Sequence, residues 1–555
     1  MATRKPRGRR CSSMSRRSSA SSRRRPGRSR RAKMSETVEA GRGAVSSPHW
    51  LASEEGARIL AAGGSAMDAA IATNAMLGVV YPHMCGVGGD MFMLYYEASS
   101  GEVHCLNATG PAPRAATREE FLRRGLTAVP ARGPLSVSVP GTVAGWDVAS
   151  RRFGRLGLEA LLSGAADVAE AGYRVSPGLA RWIKSSAPEI AEGSPLQRML
   201  SLGGEWLGEG DTVTQPELAA TLRAISTQGR DGFYRGAVGE AIASAMKRSG
   251  GLITAADLAE FEPEWVEPIT HVIDGYQLFV PPPNSQAVTA LLMLQYFREA
   301  GGSAADERDA RYYERLVEAK RRAFAFRDSH VGDPRFHPQT VEDALAVLRT
   351  GAAQSAPAPA MAGYPPSGDT VGFVTRDGSG NMCAAIQSLY YGFGSMFMPE
   401  GTGVILHNRG HYFSLVPGRV NSLEPGKRTM HTLMCAIGLV DGHARFAVSS
   451  MGADGQAQFV FQVFQELFAG ATAQAATSAP RVLHGRFTLD DDPDVLRVEP
   501  LADPTIVRDL VDRGLTVREL PEPSETMGHA QAIAVRGDRV EAGFDPRSDG
   551  SAVLV

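Results

Sequence analysis

Residues 351–388 read GAAQSAPAPAMAGYPPSGD followed without a break by TVGFVTRDGSGNMCAAIQS, and the joint between the two, Asp369-Thr370, governs how the rest of the chain is read. The first half is made of Ala, Pro, Gly and Ser, a composition that cannot bury enough apolar surface to pack, so it reads as a mobile linker. The second half carries β-branched and apolar residues on both sides of RDGSGN and predicts strand, glycine turn and strand. If the peptide bond before Thr370 were cut, the new chain start would set a free α-amine beside the threonine hydroxyl. That is a nucleophile with its own base. An uncut surface loop between two lobes is the other reading this composition allows.

Upstream, GARILAAGGSAMDAAIATNAMLGVVYP predicts a helix closed at Gly63 and Gly64 and a second opened by Ser65, with Asp68 as its capping-box partner. MFMLYYEASSGEVHCLNA predicts a hairpin of two buried strands. Helical patterns such as PELAATLRAIS, AVGEAIASAMKRSG and DARYYERLVEAKRRAFAFRDS then dominate to about residue 350. Beyond 370, strands such as FAVSS and AIAVR alternate with helices such as QFVFQVFQELFA. A sheet must therefore draw on both sides of the linker, which makes one layered unit and not two independent domains.

The chain has 555 residues, of which 43% are hydrophobic and 21% charged, an ordinary globular balance with no apolar run long enough for a membrane-spanning helix. Its formal net charge of −2 conceals an asymmetry: residues 1–33 hold 14 Lys and Arg and no acid, which leaves −16 for the rest. This Arg- and Ser-rich segment reads as a disordered basic extension outside the working protein, with Met34 as an alternative start; no apolar stretch follows it to make a secretory signal. The expected location is the cytoplasm, with neither nucleic acid nor membrane as a partner. Five unclustered cysteines, Cys11, Cys85, Cys105, Cys383 and Cys435, fit neither a disulfide framework nor a zinc site and read as small buried apolar residues.

The chain holds no phosphate loop, HExxH, paired CxxC or GxSxG elbow, and its acids lack metal-loop spacing, so no cofactor and no metal is expected. CGVGGDMF at 85–92 lacks dinucleotide spacing and reads as tight backbone packing. In VSSMGADGQ, from Val448, a glycine turn leads into a helix and would point backbone N–H groups outward, as an oxyanion requires. A plain helix cap is the alternative.

With these residues in place, the chain resembles the γ-glutamyltransferase family of self-processing N-terminal nucleophile hydrolases from about Gly41 to Val555. The resemblance rests on GGSAMDAAIATNAMLGVVYP, VGGDMFML, SVPGTVAGWDVASRRFG, GDTVTQPELAATL, GGLITAADLAEFEPEW, VPPPNSQAV and FDPRSDGSAV. Thr370, Asp377, Gly380 and Asn381 fall on the family pattern that opens the small subunit. What this implies is an α+β fold, a four-layer αββα sandwich. Cleavage between Asp369 and Thr370 would give a large-subunit region, 34–369, and a small one, 370–555, which stay associated in one fold. A homo-oligomer of such heterodimers is left open.

The resemblance also implies roles: Thr370 as nucleophile, Ser388 as its hydrogen-bond partner, and Gly452 and Ala453 as the amides that hold the oxyanion. The departures concern the substrate, expected to be a small amide. Thr109 stands where γ-glutamyl-specific members have an arginine, and Val371-Gly372 replaces Thr-His. HNRGHYF replaces NNQMDDF, so that Arg409 and Tyr412 take the places of a glutamine and an aspartate, and His431 and Thr432 replace a serine pair. QSLYYGFGS, which includes Tyr390, looks instead like the oxamate amidohydrolase branch, with Arg409 as a carboxylate clamp. Tyr390, Tyr412, His431 and Thr432 are then the expected pocket lining.

Overall fold

The computed structural model describes residues 38–39, 42–351, 369–486 and 492–555. The basic extension, 1–33, and the linker proper, 352–368, both singled out above, lie outside the described residues.

Two seven-stranded sheets form the centre. Their strands are β1 (Val38–Glu39), β2 (Ala44–Ser47), β3 (Asp90–Glu97), β4 (Glu102–Ala108), β5 (Glu264–Val266), β6 (Ile269–Ile273) and β7 (Tyr276–Val280) before the joint. After it come β8 (Asp369–Arg376), β9 (Met382–Tyr390), β10 (Cys435–Val440), β11 (His443–Ser450), β12 (Ala530–Arg536), β13 (Arg539–Gly543) and β14 (Ser551–Leu554). One sheet runs β1-β13-β12-β11-β10-β7-β6 and the other β14-β2-β8-β9-β3-β4-β5, with antiparallel pairing of neighbours throughout. Each sheet takes strands from both sides of Asp369-Thr370, so a cut there would leave two fragments joined by intact ladders.

Strand alternation sorts the side chains into layers. On β3, β8 and β9, Phe92, Leu94, Val374, Met382, Ala384 and Ile386 face inward and meet Cys435, Ile437, Ala447, Ile533 and Ala542 of the other sheet in one dry cluster. The alternate residues Met91, Met93, Val371, Phe373, Cys383 and Leu389 face outward under helices. Those helices are α1 (Trp50–Ala61), α2 (Ala66–Val80) and α3 (Thr142–Phe153). The far sheet is covered by α4 (Val288–Glu299), which carries α5 (Ala310–His330), and by α6 (Gln456–Phe468). The result is the αββα order.

Helix α2 shows why the local sequence works. Ser65 accepts from the Asp68 N–H while Asp68 accepts from the Ser65 N–H, the capping box expected from the sequence. All its residues are buried, and its alanines let it lie close under β8 and β9. Its first amide, that of Ala66, also donates to Asp377 Oδ2, and the same carboxylate holds the RDGSGN turn through the amides of Ser379 and Asn381. Asp377 thus ties the helix start to the β8-β9 hairpin. The stretch read as helical up to 350 also holds β5, β6 and β7. These are short strands, half-buried over much of their length, whose pattern is too weak to announce itself. No described helix is long and apolar enough to cross a membrane.

Candidate active site

On β8 the positions of Thr370, Gly372 and Val374 share the inward face, so Thr370 lies between the two sheets at the start of its strand. The β8-β9 register sets Thr370 opposite Ser388, and the β9-β3 register sets Ser388 opposite Asp90. Three polar side chains therefore form a row across adjacent strands, all fully buried.

The hydrogen bonds at the joint are specific. Thr370 Oγ1 donates to Ser388 Oγ at 3.1 Å, and Ser388 Oγ donates to the Asp369 carbonyl oxygen at 2.6 Å. The Tyr390 amide donates to the same Oγ at 2.7 Å and fixes its position. The hydroxyl that would attack and the carbonyl it would attack are thus bridged by one serine. The ladder is irregular between Asp369 and Thr370, and Tyr390 has φ of 80°, a left-handed conformation costly for a tyrosine; such strain collects where a fold fixes a functional group. The Asp369 carboxyl is buried, which pushes its pKa well above the carboxylate range; Glu525 adds to the effect and Arg132 opposes it.

Gly372, one of the departures noted in the sequence, has a packing reason. A Cβ there would come within 2.6 Å of Ser449 Oγ and 2.8 Å of the Ser449 carbonyl carbon, because β8 crosses β11 of the facing sheet at that point. Two residues beyond Ser450, Gly452 has φ of 135° and a Cβ on it would run into the Phe459 ring. Ala453, with φ of 50°, starts a short 3-10 turn, Ala453–Gly455, that leads into α6. That turn is braced from α5: Arg327 Nη1 donates to Gln286 Oε1 at 2.8 Å, and Gln286 Nε2 donates to the carbonyls of Thr432, at 2.8 Å, and Ala453, at 3.3 Å. Arg327 also pairs with Asp454 at 3.3 Å.

Arg409, 1% exposed, stacks on the Tyr390 ring with its guanidinium carbon 4.1 Å from the centroid. Its Nη1 and Nη2 have no hydrogen-bond partner among the described residues, and burial lowers its pKa. Tyr412 packs edge-on to Tyr390 with centroids 5.5 Å apart and donates its hydroxyl to Asp454 Oδ1 at 3.2 Å. His431 and Thr432 are buried, and Thr432 Oγ1 is unpartnered among the described residues. Thr109, by contrast, is fully engaged: its hydroxyl donates to Asn107 Oδ1 at 2.6 Å and accepts from Asn284 Nδ2 at 3.2 Å.

Sequence reading missed the partner of this cluster. The Asp90 carboxylate, inside VGGDMFML, lies with its Oδ2 3.3 Å from His407 Nδ1 and 3.3 Å from His431 Nε2. It also missed Arg327 and Gln286, although the latter stands in the quoted VPPPNSQAV. The glycines beside Asp90 serve close packing, as expected: a Cβ on Gly88 would strike the Ile405 carbonyl, and one on Gly89 the Gln387 side chain. The four described cysteines are buried and unpaired. Among the described residues no group of acids, histidines and cysteines is arranged to hold a metal.

The profile of gamma-glutamyltranspeptidase matches residues 52–555. The glutathione hydrolase-like YwrD proenzyme of Bacillus subtilis strain 168 is 35% identical over 94% of this chain and all of its own. The oxamate amidohydrolase proenzyme of Klebsiella pneumoniae is 36% identical over 92% of this chain and 98% of its own. Among solved structures, a cephalosporin acylase from Bacillus halodurans superposes with a TM-score of 0.84 at 33% identity, covering 96% of this chain and 99% of that one.

Proposed function

Since the chain belongs to the gamma-glutamyltranspeptidase family of N-terminal nucleophile hydrolases, we propose that it matures by cutting itself between Asp369 and Thr370 and then hydrolyses the amide of a small carboxylate-bearing substrate through an acyl-enzyme on Thr370. The observation that carries this reading is the bridge Thr370 Oγ1 to Ser388 Oγ to Asp369 O.

In maturation, Thr370 Oγ1 adds to the Asp369 carbonyl carbon. Its proton passes to Ser388 Oγ as the Ser388 proton passes to the carbonyl oxygen, so no separate base is needed. The C–N bond then breaks, the Thr370 nitrogen takes the proton, and an ester links Asp369 to Thr370 Oγ1. Water opens the ester and leaves an Asp369 carboxylate and a free Thr370 α-amine. With a pKa of about 7.7–8.0 when unperturbed, that amine serves as the base in turnover. The amides of Gly452 and Ala453 are assigned the tetrahedral oxygen.

The carboxylate is assigned to Arg409, supported by its buried and unpartnered Nη1 and Nη2. A second reading, glutathione or γ-glutamyl hydrolysis as in the relatives so named, draws on one observation: Tyr412 reaches Asp454, which puts a carboxylate where an ammonium anchor was lost. Arg327 already pairs with that carboxylate, which weakens this reading. A third, an uncut binding or scaffold homologue, is separated from both by maturation itself.

Two measurements test the proposal. The 59.0 kDa chain should run on a denaturing gel as fragments of roughly 39 and roughly 20 kDa, by proportion of chain length, and Thr370→Ala should stay whole and inactive. The mature protein should then release ammonia or amine from oxamate or short dicarboxylic monoamides faster than from a γ-glutamyl amide. A single uncut band, or maturation of Thr370→Ala, would sink the nucleophile assignment; preference for the γ-glutamyl amide would select the second reading.

A further inference from the structure

Ala453, in the turn assigned to the oxyanion, has φ of 50°. The left-handed region disfavours a residue with a Cβ by about 10-fold against the right-handed one, and an alanine side chain offers no hydrogen bond in return. Such a residue persists only where its surroundings hold it. Flanking backbone supplies one restraint, since the Gln456 amide donates to the Ala453 carbonyl and closes the 3-10 turn.

The second restraint comes from a distant segment. Gln286 is fully buried and seated ahead of α4 by its own amide, which donates to the His431 carbonyl at 2.8 Å. Its neighbours fix which way its side chain points. Arg327 Nη1 can only donate and faces Oε1 at 2.8 Å, whereas the carbonyls of Thr432 and Ala453 can only accept and face Nε2 at 2.8 and 3.3 Å. The Gln286 side-chain N–H groups therefore join the turn to the expected pocket wall. Arg327, 2% exposed, grips the same turn again through Asp454, with Nη1 3.3 Å from Oδ1. The turn is thus held at two successive residues by side chains from outside its own segment.

We propose that Gln286, oriented by Arg327, is a positioning residue for amide hydrolysis: it keeps Ala453 in the left-handed conformation that offers its amide to the tetrahedral oxygen. Turnover depends on this brace because position 453 carries a Cβ. The inference rests on the assignment of the oxyanion to Gly452 and Ala453 made above and adds the group that holds them in place. Without the brace the turn relaxes toward right-handed backbone, and the rate and the affinity for a tetrahedral species fall with the fraction that remains competent. Binding of the intact amide does not use the turn and is unchanged.

The test is a double-mutant comparison on the mature protein. Gln286→Glu keeps the side chain's length and its partner Arg327 but turns a carboxylate oxygen, not an N–H, toward the two carbonyls. It should lower kcat on succinamate by about 10-fold with KM changed by no more than about twofold. In an Ala453→Gly background the same change should cost no more than about threefold, because glycine takes left-handed backbone without penalty. Gln286→Met, similar in length and uncharged, gives the same comparison if the added carboxylate prevents maturation. Calorimetric titration with 3-boronopropanoate reads the turn without turnover: Thr370 Oγ1 bonds to boron, its proton passes to the α-amine, and the boron becomes tetrahedral and anionic with no group leaving. Its affinity should follow the kcat pattern, while that of succinate stays constant. If succinamate is not cleaved but the boronate shows this pattern, the substrate assigned above fails and the inference stands. A boronate bound no tighter than succinate by the parent protein would refute the oxyanion assignment and the inference with it. Tight boronate binding with equal losses in both backgrounds, or a loss confined to KM, would leave that assignment standing and overturn the inference alone. Loss of self-cleavage in both Gln286 variants would mark the residue as structural and overturn it too.

Discussion

Removing one hydroxyl from the joint tests the maturation chemistry. Ser388→Ala takes away the group that accepts from Thr370 Oγ1 at 3.1 Å and donates to the Asp369 carbonyl at 2.6 Å, without touching the nucleophile or the scissile bond. Loss of a preorganised donor to a developing oxyanion typically costs about 10² to 10³ in rate, roughly 2.7–4 kcal/mol of barrier. A separate cost falls on stability, because the buried Tyr390 amide loses its acceptor, worth about 1–3 kcal/mol. The two effects are measured apart: the fraction of uncut chain is followed on a denaturing gel from the moment of synthesis, and stability by urea unfolding of the uncut form. Ser388→Thr retains a hydroxyl and should cleave within about tenfold of the parent chain, since it keeps the donor whose loss costs 10² or more. Cleavage of Ser388→Ala at close to the parental rate, or equal slowing by Ala and Thr, would refute the serine bridge as the proton path.

Two further outcomes follow from the geometry. Gly372→Ala would force a Cβ to within 2.6 Å of Ser449 Oγ; overpacking of this kind costs about 1–3 kcal/mol, and the displacement of β8 from β11 should slow self-cleavage as well, so an unchanged urea midpoint would contradict the close approach. In a Thr370→Ala background, Asp369 should make the uncut chain less stable as pH rises. Its folded pKa is raised by burial, so its contribution is fully present below the unfolded value of about 4 and is lost as pH climbs through the folded one. Asp369→Asn should flatten that part of the curve, and a pH dependence identical in both variants would show that Asp369 is not the group responsible.

Much of the molecule was legible in its sequence because the signals were local. The Ser65-Asp68 capping box, the hairpin at 90–108 and the strand-turn-strand after Thr370 depend on residues a few positions apart, and each formed where its pattern placed it. The family and the fold followed from ordered motifs along one line of chain. What tertiary structure alone decided is which distant residues meet. Asp90 lies beside Ser388 through the register of β3 against β9. His407 and His431 arrive on that carboxylate from separate segments, and Arg327 reaches Ala453 through Gln286 across two further elements. Strand register and helix docking are set by the sum of buried surfaces over the whole sandwich. No local pattern near Asp90 announces its partners.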